Sequence, residues 1–295
     1  VDVDMWNYWH FALAGTLVYY STGSFVLGLS AAAIAAIVVL KVADWSAPLV
    51  AKYFGLEGIS LPTLSSVVFF PIGLLFDKII DKIPGLNRIH IDPESVQKRL
   101  GIFGEPMMVG TILGILLGII AGYDFKHILL LGISIGGVMF ILPRMVRILM
   151  EGLLPLSEAI KKYLNAKYPG RDDLFIGLDI AVAVGNPAII STALILTPIS
   201  VFIAFLLPGN KVLPLGDLAN LAVMASMIVL ACRGNIFRAV ITAIPVIIAD
   251  LWIATKIAPF ITGMAKDVNF KMAEGSSGQV SSFLDGGNPF RYWLL

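Results

Sequence analysis

The chain has 295 residues, 58% of them hydrophobic and 14% charged, with a mean hydropathy of +0.88. Soluble domains carry about 45–50% apolar and about 25% charged residues, so an ordinary soluble fold is excluded. Lys and Arg number 21 against 20 Asp and Glu, which leaves no basic surplus for nucleic acid, and a single cysteine, Cys232, excludes an internal disulfide, a multi-cysteine metal site and a CxxC redox pair.

Uncharged runs cover 11–40, 58–76, 106–123, 128–143, 180–210 and 218–232. Several reach the roughly 17–25 residues that carry an α-helix across about 30 Å of hydrocarbon. The predicted fold is an all-α polytopic membrane protein with broken or re-entrant helices. The run 11–40 would extend about 45 Å as one helix; Ser21-Thr22-Gly23-Ser24 predicts a break, with one helix up to Tyr20 and a second through 30–42. Pro62 and Pro71 within 58–76 predict a kinked span or a hairpin that enters and leaves on one side. Helices over 106–122 and 128–142 are joined by the tight turn 123–127. The stretch 174–207 would extend about 51 Å and contains Gly185-Asn186-Pro187, which predicts a half-helix, a turn and a full span from Ala188. Spans over 215–232 and 236–255 follow, and 266–290 is expected to be a mobile polar loop. The start at Val1 and the apolar end Tyr292-Trp293-Leu294-Leu295 suggest a membrane-embedded fragment, 1–295, lacking helices at both ends.

The 106–142 hairpin places its two flanking loops on one face of the membrane. Lys78, Lys82, Arg88, Lys98 and Arg99 lie in 77–105, and Arg144, Arg147, Lys161, Lys162, Lys167 and Arg171 in 144–173. Lys/Arg excess marks the cytoplasmic side, so both loops are expected in the cytoplasm and 123–127 outside.

Polar residues inside apolar stretches cost a few kcal/mol in hydrocarbon and tend to line cavities. Glu105 precedes Pro106 and reads either as an ordinary helix start or as a site residue. Asp179 and Asn186 flank a Gly/Pro break of the kind that lines transport sites; the alternative for Asp179 is the headgroup region. Asp217 reads equally as an N-cap or a ligand. Trp6-Asn7-Tyr8-Trp9-His10 suits an interfacial aromatic belt, with His10 free to point inward. Asp250 is a weaker candidate, with Lys256 six residues on near a helix end, and Cys232 reads as a buried thiol with no phosphate cradle around it. The chain has no G-x-x-x-x-G-K-[ST] loop and no metal spacing among His10, His90 and His127, so neither ATP hydrolysis nor a cofactor is expected.

Seven segments and the opening Val3-Asp4-Met5-Trp6-Asn7-Tyr8-Trp9-His10 resemble the galactitol-type enzyme IIC permeases of the bacterial phosphoenolpyruvate-dependent sugar phosphotransferase system. The segments are Lys82-Ile-Pro-Gly-Leu-Asn-Arg-Ile89, Phe103-Gly-Glu-Pro106, Ala121-Gly-Tyr-Asp124, Gly177-Leu-Asp179, Pro208-Gly-Asn210, Leu213-Pro-Leu-Gly-Asp-Leu218 and Arg233-Gly-Asn-Ile-Phe-Arg238. The resemblance implies a multi-pass permease of the bacterial inner membrane that binds a polyol and releases it as a phosphate ester. The phosphoryl group would come from a phosphocysteine on a separate IIB protein, charged in turn by IIA, HPr and enzyme I. By analogy with the related ascorbate permeases, it implies a homodimer and an elevator fold. Asn186 departs from the His that galactitol permeases often carry there, which opens the substrate to arabinitol, another hexitol or a sugar acid.

A polyol presents only hydroxyls, so its site needs carboxylates and amides in a fixed array. The residues expected to supply it are Glu105, Asp179, Asn186, Asp217 and His10, with Glu105 or Asp179 as general base during phosphoryl transfer. The alternative is an ion-coupled secondary transporter, in which the same carboxylates would bind Na⁺ or H⁺.

Overall fold

A computed structural model describes residues 2–167, 174–271 and 278–295. Parts of two expected loops, 168–173 and 272–277, lie outside the described residues. Helix α1 (Trp6–Thr22) and helix α2 (Phe25–Phe54) separate where the sequence predicts, at Gly23 with φ 69°, and Ser24 caps α2 by accepting from the Leu27 amide. The pair packs through Gly15 and Gly28. A Cβ on either would stand 2.7 Å from the other's carbonyl oxygen, the close approach that small residues permit between membrane helices.

A strand–turn–helix unit follows: β1 (Ile59–Ser60), the one-turn helix α3 (Leu64–Val67), a break at Val68, then α4 (Phe69–Asp81). Pro62 sits in the extended chain between β1 and α3, so the segment is a broken entry and not one kinked helix. Helix α5 (Pro93–Leu100) starts with a reciprocal cap between Asp92 and Ser95. The segment Pro93–Gly104 is bent by 76° against α6 (Pro106–Ile120).

Helix α7 (Phe125–Lys167) completes the predicted hairpin, and Gly110, Gly114 and Gly118 are the buried residues of α6. A Cβ on Gly114 would lie 2.8 Å from the Gly132 Cα, so the α6–α7 seam is glycine-built while Ile112, Leu116 and Ile119 face outward. The expected loop from Arg144 is instead helical as far as Lys167. Leu, Met, Glu, Ala and Lys dominate that stretch, and these propagate a helix regardless of hydropathy.

A second unit has the build of the first: β2 (Ile176–Gly177), the one-turn helix α8 (Ala181–Val184), a break at Gly185-Asn186, then α9 (Pro187–Leu206). The two strands pair in parallel, Ile59 with Ile176 and Ser60 with Gly177, so the two broken entries lie side by side. The Val3 amide donates to the Gly177 carbonyl at 2.9 Å and brings the N-terminus to the same place.

A 3-10 turn at Pro214–Asn220 leads into α10 (Leu221–Ala231), then α11 (Ile236–Asp267) and α12 (Pro289–Leu294). Helix α10 is the centre of the molecule, with Leu221, Met224, Ala225, Met227, Ile228, Leu230 and Ala231 all at 0% exposure. It packs against α4, α9 and α11.

The Arg233-Gly-Asn-Ile-Phe-Arg238 motif ties the start of α11 to the 82–92 connection. Asn235 accepts from the Arg238 amide at 3.2 Å and donates to the Ile89 carbonyl at 2.9 Å. The Arg238 guanidinium joins Asp77 at 2.8 Å and Asp81 at 2.7 Å. Among the described residues, five helices are long and apolar enough to cross a membrane.

The described parts of 266–290 differ from the expected mobile loop. Helix α11 continues to Asp267, and in 278–288 Phe283, Leu284 and Asn288 are 1%, 4% and 0% exposed. Gly287 is pressed against the Asp250 carbonyl, where a Cβ would meet oxygen at 2.3 Å; only glycine allows that approach.

Candidate functional site

One face of the N-terminal segment and α1 reads the first broken unit residue by residue. Asp4 accepts from the Thr63 hydroxyl and from the Trp6 amide. Asn7 donates to the Pro62 carbonyl at 3.0 Å and accepts from the Leu64 amide at 3.2 Å. The His10 Nε2 lies 3.2 Å from the Ser65 Oγ. Spacing by three keeps Asn7 and His10 on one helix face. The Thr63 hydroxyl also accepts from the Ile180 amide at 2.9 Å, so a single side chain joins α1, the first unit and the second. Burial places Asp4 outside the spans above its ordinary carboxyl range, against the lowering effect of its Thr63 bond.

Trp6, Tyr8 and Trp9 are 61%, 80% and 50% exposed, while Asn7 and His10 are buried. Tyr8 is exposed away from the cavity described below, Trp6 and Trp9 are exposed but border it, and Asn7 and His10 turn inward.

Beside this junction lies a cavity of about 390 Å³. Its polar wall comprises His10, Thr63, Ser65, Asp179, Asp217 and Asp285, with Asn220 and the faces of Trp6 and Trp9 completing it. Asp179 accepts from the Ala181 amide at 2.8 Å through Oδ1; Oδ2 has no hydrogen bond among the described residues. Asp217 uses Oδ2 to hold the 278–288 connection, accepting from the Phe283 amide at 2.8 Å and the Ser282 hydroxyl at 3.3 Å. Asp285 accepts from Trp9 Nε1 at 3.1 Å and from the Arg291 guanidinium at 3.0 Å. Burial opposes its ionisation, but the Arg291 guanidinium and the Trp9 N–H beside it favour the carboxylate and hold it below its usual range.

Of the five residues the sequence singles out, the cavity gathers His10, Asp179 and Asp217. Glu105 and Asn186 are not in that wall. Glu105 is exposed at the N-cap position of α6 and makes no side-chain cap bond, whereas Asn186 caps α9 by accepting from the Ala188 amide at 2.9 Å.

Thr63, Ser65 and Asp285 were not singled out. A signal for the last was present: Gly287-Asn288-Pro289 repeats Gly185-Asn186-Pro187, and in both the Asn caps a helix with Pro at its first turn. Asp250, on α11, is 0% exposed with both carboxylate oxygens unpartnered among the described residues, away from the cavity wall. Cys232 is buried, its sulfur 3.8 Å from the Thr242 hydroxyl.

A family model described as the PTS system sugar-specific permease component matches residues 1–275. The galactitol-specific EIIC component of the phosphotransferase system in Escherichia coli (strain K12) is 40% identical over 295 residues, which is 100% of this chain and 64% of that protein. Its counterpart in Escherichia coli O157:H7 matches to the same extent. A putative permease IIC component of the K12 strain is 41% identical over 290 residues, covering 98% of this chain and 66% of that protein. The chain thus spans slightly less than two thirds of the length of these relatives. No solved structure matches. With a sugar-permease family model across 1–275, relatives matched over its whole length and five apolar spans, the chain is a multi-pass inner-membrane protein that belongs to the sugar-specific IIC permease family of the phosphotransferase system.

Proposed function

We propose that the chain forms the membrane-embedded core of a phosphotransferase permease that binds a polyol such as galactitol in the cavity beside α1. The observation that carries this is the composition of the cavity wall. Three carboxylates, an imidazole, two hydroxyls and an amide, with apolar Leu142, Ile180, Val184, Val223 and Leu284 between them, line about 390 Å³, within the range of small-molecule sites. Every hydroxyl of a polyol is at once donor and acceptor, and a wall built to pair with each rejects an analogue lacking one. Two relatives are described as galactitol-specific, which supports the substrate class.

In the same proposal the phosphoryl donor is a phosphocysteine on a IIB protein, supplied through IIA, HPr and enzyme I, and the permease works as a homodimer. A substrate hydroxyl oxygen attacks phosphorus and forms the O–P bond. The S–P bond breaks, the electron pair leaves with the cysteine thiolate, and the hydroxyl proton passes to a carboxylate. Asp179 serves this role better than Glu105, because it lines the cavity and Glu105 does not.

Uptake by vesicles carrying the full-length protein tests the function. With phosphoenolpyruvate and the phosphotransfer proteins inside, galactitol is expected to accumulate as its phosphate ester. Accumulation of unmodified polyol driven by an ion gradient alone would establish the secondary-transporter alternative instead.

Docking of IIB is proposed on the face bearing Arg144 and Lys162, both exposed on α7; Arg147 and Lys161 belong to the same helix. The Arg144 guanidinium lies 3.3 Å over the Phe140 ring, which holds the charge at the surface. Arg144→Glu with Lys162→Glu is expected to slow phosphorylation about tenfold while free-polyol binding stays unchanged. The defect should narrow as salt screens the charges. Equal loss of both activities would remove this face from consideration.

A further inference from the structure

Arg291 is absent from the cavity wall, yet its bonds determine what the wall can offer. Its side chain is 0% exposed. Nη1 donates to the Asp285 carbonyl at 2.6 Å and to the Asp285 Oδ1 at 3.0 Å. Nη2 stands 2.6 Å from the His10 Nδ1. A guanidinium has donors only, so at this distance the His10 Nδ1 must be the acceptor. A neutral imidazole whose Nδ1 accepts carries its proton on Nε2.

Nε2 is the atom 3.2 Å from the Ser65 Oγ. The serine oxygen therefore accepts from His10, and its own hydrogen is free to turn into the cavity. The opposite arrangement would have His10 donate from Nδ1 to the Asp285 Oδ1, 3.4 Å away. That would set two N–H groups against each other across the 2.6 Å contact with Arg291. The shorter contact, whose donor cannot become an acceptor, decides between them.

We propose that Arg291 is a positioning residue that fixes His10 as its Nε2–H tautomer, so that Ser65 presents a hydrogen-bond donor to an oxygen of the bound ligand. The ligand half of this statement rests on the cavity being the polyol site; the tautomer half does not. The chain Arg291→His10→Ser65→ligand runs in one direction, and the carboxylates of Asp179 and Asp217 take hydrogens from the ligand. A hydroxyl seated between them is used both as acceptor and as donor. Such a wall distinguishes a polyol carbon bearing a hydroxyl from one bearing only hydrogens.

The test uses the full-length protein labelled with ¹⁵N-histidine, the His10 signal being identified by its disappearance in His10→Gln. In the ligand-free protein Nε2 is expected to be proton-bearing and Nδ1 bare. A bare Nε2, or an imidazolium with both nitrogens protonated, would overturn the proposal. Arg291→Met is made together with Asp285→Asn so that no buried charge is stranded, and it is expected to show a mixture of both tautomers. A pure Nε2–H signal in that variant would deny Arg291 control of His10. Ser65→Ala is expected to weaken galactitol binding roughly tenfold, the scale of one net hydrogen bond; unchanged affinity would overturn the donor role. If galactitol fails to bind the unaltered protein, the polyol site falls and the tautomer result stands by itself.

Discussion

Asp285→Leu is expected to destabilise the protein by about 3–5 kcal/mol, the cost of leaving a buried charge without its partner. The stranded charge would be Arg291, whose side chain is 0% exposed and whose only carboxylate partner among the described residues is Asp285. Trp9 would lose the acceptor of its indole N–H as well. Because the Asp285 side chain keeps 31% exposure, the lower end of the range is expected. Thermal unfolding in detergent measures it, and adding Arg291→Met should recover most of the loss, since buried ion pairs replaced by apolar residues together are often neutral. No recovery in the double variant would mean that Arg291 is held by its packing and not by this pair.

The same pair sets a pH dependence. The Asp285 carboxyl is held below its unfolded value, so its contribution is fully present above that value, about 3.9. It is lost as pH falls through the lower folded value. Acid melts of the unaltered protein and of the double variant are therefore expected to run close together above a pH of about 4 and to separate below it, where only the unaltered protein loses the Asp285 contribution.

Much of the helical layout is legible in sequence because hydrocarbon selects for uncharged length, and breaks are written in glycine and proline. Gly23-Ser24 and Gly185-Asn186-Pro187 both end helices as read. The helices misjudged in length are those in which charge was taken for an end. Helix α11 passes through Asp250 and Lys256 to Asp267; the Lys256 ammonium lies 5.6 Å over the Trp252 ring, and a long basic side chain can settle in this way without ending a helix. Helix α7 likewise continues beyond Arg144 to Lys167, through Pro155, on a stretch otherwise rich in Leu, Glu, Ala and Lys.

The site divides along an energetic line. Asp179, Asp217 and His10 stood out because an ionisable group in an apolar run is costly enough to require an explanation. Thr63 and Ser65 are cheap to bury and carry no such signal. Glu105 and Asn186 carried the signal for another reason, both occupying helix N-cap positions. Asp285 was masked by Gly- and Ser-rich surroundings that read as solvated chain. Its burial depends on Arg291, Trp9 and His10, two of them more than 270 residues away, and such pairings leave no local pattern.

The cavity carboxylates supply the other large effect. Asp179→Asn with Asp217→Asn is expected to weaken galactitol binding by about 3–6 kcal/mol, taking about 1.5–3 kcal/mol for each hydrogen bond to a charged group. That corresponds to roughly 10²–10⁴-fold in affinity. The amides preserve the local folds. An Asn oxygen at 179 still accepts from the Ala181 amide, and one at 217 still accepts from the Phe283 amide. What disappears is the second acceptor oxygen and the charge that face the ligand. Glu105→Gln, exposed at the head of α6, is expected to leave affinity within about threefold, the margin of a surface change. Calorimetry on purified full-length protein separates these outcomes, with unfolding temperature as the control for structure. Near-native affinity in the double variant would leave Asp179 as the former of the turn that leads into α8 and Asp217 as an anchor for the 278–288 connection. Loss of binding in Glu105→Gln alone would instead move the site to the start of α6, where a polyol would meet the bend between α5 and α6.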